Sequence, residues 1–88
     1  MKTGKEQSRS AWQKIVDDAG FKGAEIIELE DQKVANMFGG GTVMLNPAEA
    51  VIYDTLKGAE LLQDYKTVAK GIEWFIQNNV EAYSILLD

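Results

Sequence analysis

The stretch NPAE at residues 46–49, which returns as NNVE at residues 78–81, decides how the second half of this 88-residue chain folds. The side chain of Asn46 can accept a hydrogen bond from the first-turn amides of a helix. Pro47 suits the first helical position, where its missing N–H has no partner to lose, and Glu49 stands where a capping box needs a carboxylate. The pattern therefore predicts one helix that begins after Asn46 and another that begins after Asn79.

Apolar residues between these two starts recur at helical spacing. Gln63 and Asp64 interrupt the run, so it predicts a helical hairpin that turns there, with its second helix beginning near Tyr65. The predicted inward stripes are Ile52, Leu56, Ala59 and Leu62 on the first helix, and Val68, Ile72, Phe75 and Ile76 on the second. The last helix is predicted over Val80 to Leu87.

The first half carries weaker signals. Residues 1–9 are polar and are expected to form a flexible tail. Ser10 is expected to cap a helix that runs to Ala19, and Gly20 to end it in a left-handed conformation.

Residues 24–45 allow two interpretations. Apolar spacing and good helix formers predict a helix over 24–38, which Gly39 would end. A β-hairpin turning at residues 30–32 is the alternative. Gly39-Gly40-Gly41 is expected to be a flexible break, with Thr42 to Leu45 extended after it, because Pro47 keeps Asn46 out of the helical region.

Together these signals predict a mainly α fold, a small bundle of four to five short helices with a glycine-rich break. Residues 10–88 are expected to form a single helical domain, with a helical hairpin and a third helix at 46–88. A chain of this length buries only about two-thirds of its unfolded surface.

Composition narrows the function. The chain has neither Cys nor His, so it lacks a thiol nucleophile, an imidazole base and the usual zinc ligands. We expect no enzymatic activity, no metal and no cofactor. The net charge of −5 would repel a phosphate backbone, so no nucleic-acid partner is expected. No apolar run has the length of a signal peptide or a membrane span, so a cytoplasmic protein without a membrane partner is expected.

The second half resembles a tetratricopeptide unit. Ala48-Glu49-Ala50, Asp64-Tyr65 and Val80-Glu81-Ala82 lie near the matching places of that helical hairpin. The two starts are separated by 32 residues where the family has about 34. Val51, Asp54 and Thr55 replace its Trp and Leu-Gly pattern. The resemblance implies a helix hairpin whose apolar faces need a further partner.

Residues 39–47, 57–60, 78–83 and 86–88 also resemble short uncharacterised proteins of tailed bacteriophages. The resemblance implies a phage accessory protein, located in the host cytoplasm, which binds a host or phage protein as an inhibitor or anti-defence factor. A small virion component is the alternative interpretation.

Two sets of residues are candidate contacts. Trp74, Tyr83, Leu86 and Leu87 are aromatic or apolar residues near the end of the predicted bundle, and they predict a protein-binding surface that also allows a homo-oligomer. Gly39, Gly40, Gly41 and Thr42 could contact an anion through consecutive amides, which gives a third interpretation, a sponge for a small nucleotide signal. The sequence departs from a P-loop because no Gly-Lys-Ser/Thr ending follows, and the flexible-linker interpretation is favoured.

Overall fold

The computed structural model describes residues 8–21 and 23–88. Along the chain it contains α1 (Arg9–Asp18), β1 (Gln32–Ala35), β2 (Thr42–Leu45), α2 (Pro47–Leu61), α3 (Tyr65–Asn78) and α4 (Val80–Ala82), which continues as a π-helical turn (Tyr83–Leu87). The mainly helical fold is confirmed, with four helices and one small two-stranded antiparallel sheet. No helix in these described ranges has both the length and the hydropathy needed to cross a bilayer.

Helix α1 begins two residues earlier than the sequence predicted. Ser8, and not Ser10, is the N-cap, since its Oγ accepts the Ala11 N–H at 3.2 Å. Arg9, expected in the tail, is the first helical residue and donates through its guanidinium to the carbonyl oxygens of Ile26 and Ile27. Residues 1–7 of the expected tail lie outside the described residues.

Two of the predicted helix ends are confirmed, those at Gly20 and at Gln63. Gly20 follows α1 with φ of 90°. After α2, Gln63 has φ of 58° and its N–H donates to Glu60 O at 3.1 Å, while the Asp64 N–H donates to Ala59 O at 2.9 Å. This pair of bonds is a Schellman ending, and it places Asp64 as the N-cap of α3. The hairpin therefore turns at Gln63 and Asp64, as predicted.

The helix predicted over 24–38 is wrong. The backbone of residues 24–29 has no regular structure because α1 supplies its hydrogen bonds: Gln13 Nε2 donates to Ala24 O at 2.7 Å, and Gln13 Oε1 accepts the Ile26 N–H at 3.0 Å. Ile26 is buried and Ile27 is exposed, which is the alternation of an extended segment. Tertiary contacts thus override the local helix propensity.

A β-hairpin forms instead, but its turn lies later than residues 30–32. Strand β1 pairs antiparallel with β2, with Val34 opposite Val43 and Gln32 opposite Leu45. The expected flexible break at the glycines is part of the tight connection between the strands, where Gly39 and Gly41 have φ of 86° and 105°. Because these left-handed conformations suit glycine, the triplet closes the hairpin. Val43 and Leu45 are thereby buried against the helices.

The core is one cluster of buried side chains from all four helices, β2 and the segment that follows α1. It comprises Trp12, Val16, Phe21, Ile26, Val43, Leu45, Ala48, Ala50, Ile52, Phe75, Ala82 and Leu86. Helices α2 and α3 pack closely at Gly71, where an added Cβ would lie 2.6 Å from Leu56 Cδ1. Gly71 therefore sets the spacing of the helical hairpin.

The predicted stripes of the hairpin are correct in part. Ile52, Leu56, Ala59 and Phe75 are buried, and Val68 and Ile72 are half-buried. Leu62 and Ile76, predicted to face inward, are exposed. Leu62 stands after the end of α2, where the left-handed Gln63 turns the chain. Ile76 follows the buried Phe75, and one helical residue turns a side chain about 100° away.

Candidate protein-binding site

The end of the chain is anchored to the start of α2 through Asn79. Its side-chain oxygen accepts the Ala82 N–H at 3.1 Å, which caps α4 as the sequence predicted. Its Nδ2 donates to Glu49 Oε2 at 2.8 Å. The other oxygen of Glu49 accepts the Asn46 N–H at 2.9 Å and so completes the predicted capping box. One carboxylate therefore joins the starts of two helices.

Glu49 is 1% exposed, and no cation lies against it among the described side chains. Burial raises the pKa of its carboxyl, and the hydrogen bonds from Asn46 and Asn79 oppose that rise only in part. The Glu49 carboxyl therefore connects two helix starts, and its contribution to the stability of the fold depends on pH.

Leu86, which the sequence predicts as part of a protein-binding surface, is mostly buried. Only 7% of its surface is exposed. The anchor at Asn79 directs Ala82 and Leu86, four residues apart, into the core. The π-helical turn is closed by a bond from the Asp88 N–H to Tyr83 O at 2.9 Å, and Leu87 remains half-buried.

The tip of the β-hairpin is attached to this C-terminal turn by Asn36. Its Nδ2 donates to Ile85 O at 2.8 Å, and its Oδ1 accepts the Phe38 N–H at 2.7 Å. This arrangement holds the tip in place while the next two side chains point outward. Met37 is 83% exposed and Phe38 is 94% exposed.

A groove of about 200 Å³ lies beside the tip. We call it the tip groove, and its apolar or aromatic lining consists of Met37, Phe38, Tyr53, Leu86 and Leu87. Lys57 also lines the groove. Its Nζ lies 3.5 Å from Glu60 Oε2 and 5.9 Å from the centre of the Tyr53 ring. The tip groove therefore combines these apolar side chains with the polar side chains of Asn36, Lys57 and Asp88, and the Phe38 ring beside them is almost fully exposed.

The structure brings together two of the four residues predicted to bind a protein. Leu86 and Leu87 line the tip groove, whereas Trp74 and Tyr83 do not. Trp74 is half-buried, and its ring meets that of Phe75 edge to face with 5.2 Å between the two ring centres. Tyr83 is half-buried and packs against the core.

The sequence interpretation missed Met37 and Phe38. The apolar spacing that predicts a helix over 24–38 includes both residues in the stripe of that helix, which does not form. The signal that could have found them is Asn36, a residue that favours turns through its side chain, directly before the two apolar residues and the glycines.

The glycine run predicted as an anion contact lies in the hairpin connection. The Gly39 N–H donates to Asn36 O at 3.1 Å, so one of the three glycine amides is used within the turn. A Cβ at Gly40 would lie 3.1 Å from Ile85 O, so the connection packs closely on the C-terminal turn. An anion contact at residues 39–42 stays a prediction.

Comparison with models of protein families, with curated proteins and with solved structures finds no significant match for this chain. Within residues 8–21 and 23–88, no three carboxylate side chains converge in the manner of a metal site. The functional proposal therefore depends on the geometry of the surface itself.

A larger crevice of about 510 Å³ lies between the end of α1 and the helical hairpin, and its polar groups are already engaged. The Lys70 Nζ donates to Gly20 O at 2.8 Å and lies 4.9 Å from the centre of the Phe21 ring. The hydroxyl of Thr67 is bonded to Asp64 at 2.7 Å, and that of Thr55 to Val51 O at 2.8 Å. The crevice therefore offers a ligand few unpaired groups.

Proposed function

We propose that this chain is a small, non-enzymatic accessory protein that binds another protein through the tip groove. The observation that carries the proposal is the exposure of Phe38 beside a groove of mixed polar and apolar lining, in which Leu86 and Leu87 supply the apolar part. Within the described residues, twelve apolar side chains are buried in one cluster, whereas Phe38 is left almost fully exposed. An aromatic side chain next to a concave apolar surface is typical of an interaction hot spot.

The size of the tip groove favours a protein over a small molecule. Ligand pockets commonly have volumes of about 300–1,000 Å³. The tip groove, at about 200 Å³, has room for a single large side chain. We therefore propose that a partner inserts one apolar side chain between Phe38 and Leu87.

The class of partner is proposed from the resemblance of the second half to phage proteins. A host or phage protein is the proposed partner, and inhibition of a host factor, including a defence factor, is the proposed consequence. Lys57, Glu60 and Asp88 at or near the groove supply a polar rim of mixed charge.

The proposal is tested with affinity capture from a bacterial host lysate. The bait is the tagged full chain, compared with Phe38→Ser and with Leu62→Ser, which removes a similarly exposed apolar side chain at the α2–α3 corner. We expect a protein that is retained by the wild type and by Leu62→Ser and lost from Phe38→Ser.

Neither substitution removes a buried group, so both variants should keep the wild-type circular dichroism spectrum. Equal retention by all three baits, or loss only with Leu62→Ser, would exclude the tip groove as the binding surface.

A further inference from the structure

Within the part of the chain that the structure describes, strand β1 has one edge that no other strand covers. The sheet has two strands, and β2 pairs with only one side of β1. In an antiparallel ladder, pairs that exchange hydrogen bonds alternate with pairs that do not. The bond from the Asn36 N–H to Gly41 O at 2.9 Å fixes this alternation, so Val34 exchanges bonds with Val43.

The backbone groups of Lys33 and Ala35 consequently point away from β2. Both residues are exposed, and within residues 8–21 and 23–88 neither backbone N–H nor C=O of these two residues forms a hydrogen bond to another segment. Two donors and two acceptors thus stand in a row along the outer edge of β1. Such an edge is a template for an added strand.

We propose that a second copy of this chain covers the edge, with the two β1 strands antiparallel about a two-fold axis at Val34. Lys33 of each copy then lies opposite Ala35 of the other. Each of these two residue pairs exchanges two backbone hydrogen bonds, four in all. The two Val34 side chains meet at the axis as a close, non-hydrogen-bonded pair.

The register is self-complementary. Val34 is only half-buried in the single chain although it lies on the inner face of the sheet, and the Val34 pair would complete its burial. An axis at Lys33 would instead set two ammonium groups opposite each other, which is unfavourable. The axis at Val34 avoids that repulsion.

The contact is small and both copies are acidic. Four hydrogen bonds and one valine pair are below the size of a standard interface, so we expect a dissociation constant on the order of 100 μM or weaker. Each chain carries a net charge of −5, so added salt should tighten the dimer. None of the four β1 residues lines the tip groove, so this inference goes beyond the proposed function and does not depend on it.

The register is tested by placing charge at Ala35. Ala35→Glu would set a carboxylate opposite Lys33 of the second copy, and Ala35→Lys would set a second ammonium there. The register predicts that Ala35→Glu associates at least about tenfold more tightly than Ala35→Lys in sedimentation equilibrium.

Net charge alone predicts the reverse order, because Ala35→Glu makes each chain more acidic. Thr42→Glu and Thr42→Lys are the matched controls, since Thr42 is exposed on β2 and faces Ala35 of its own chain. The Thr42 pair should show the order that net charge sets.

Amide hydrogen exchange of the unmodified protein provides a second readout. Protection of the Lys33 and Ala35 amides should rise with protein concentration, while that of Val34 stays unchanged because its N–H is already bonded to β2. Exchange at Lys33 and Ala35 that does not depend on concentration up to millimolar protein, or tighter association of Ala35→Lys than of Ala35→Glu, would overturn the proposal.

Discussion

Replacing Leu86 by alanine tests whether the end of the chain belongs to the core. The substitution removes about three methylene equivalents, each worth about 0.8 kcal/mol when buried. Because Leu86 is 7% exposed, nearly all of that transfer free energy is lost. The open tip groove beside it lets water reach the vacated space, so the added cavity cost should be small. We expect the free energy of unfolding to fall by about 2–3 kcal/mol.

The assay is urea unfolding of the wild type and Leu86→Ala, with Phe38→Ser as the control. In a domain of this size each kcal/mol corresponds to about 4–8 °C in Tm. A thermal melt of Leu86→Ala should therefore show a Tm roughly 10–20 °C below that of the wild type. Phe38→Ser should change the free energy of unfolding by less than about 0.5 kcal/mol, because its side chain is almost fully exposed. A loss below 1 kcal/mol for Leu86→Ala would refute the packing described for the C-terminal turn.

Four further substitutions test the helical hairpin and its caps, each by urea unfolding. Asn46→Ala removes the acceptor that lies 2.8 Å from the Glu49 N–H, and should cost about 1 kcal/mol. Gly58→Ala should stabilise the protein by about 0.5–1 kcal/mol, because nothing lies within 4 Å of the added Cβ. Gly71→Ala should instead destabilise it by about 1 kcal/mol, because the added Cβ clashes with Leu56. Equal effects at the two glycines would contradict the close packing of α2 and α3 at Gly71. Burial raises the folded-state pKa of Glu49, so its contribution to stability is present at low pH and is lost as the pH rises through that pKa. The wild type should therefore lose stability relative to Glu49→Gln as the pH rises above the ordinary value of 4.5. A difference that stays constant with pH would contradict the burial of a titrating carboxylate.

The second half could be predicted from sequence because its signals are local. The cap at Asn46 and the turn at Gln63 and Asp64 depend on residues within a few positions of each other. Residues 24–38 could not be predicted in this way. Their hydrogen bonds come from Gln13 on α1 and from β2, partners that no local pattern specifies.

The candidate site shows the same division. Leu86 and Leu87 could be selected from sequence as apolar residues near the end of the bundle, but whether each is buried depends on the anchor between Asn79 and Glu49, 30 positions apart. A helix over 24–38 would place Phe38 in its apolar stripe, whereas the structure places it in the turn between β1 and β2, where its side chain is exposed. A sequence can thus indicate which residues are apolar before it indicates which of them are free to bind.

Photo-crosslinking from the hairpin tip tests the binding proposal most directly. A photoreactive benzoylphenylalanine replaces Phe38 in one protein and Leu62 in a matched control, and each is irradiated in host lysate at the same concentration. We predict a discrete adduct of higher mass from position 38 that position 62 does not give. Equal labelling from both positions, or no adduct from position 38, would contradict binding at the tip groove.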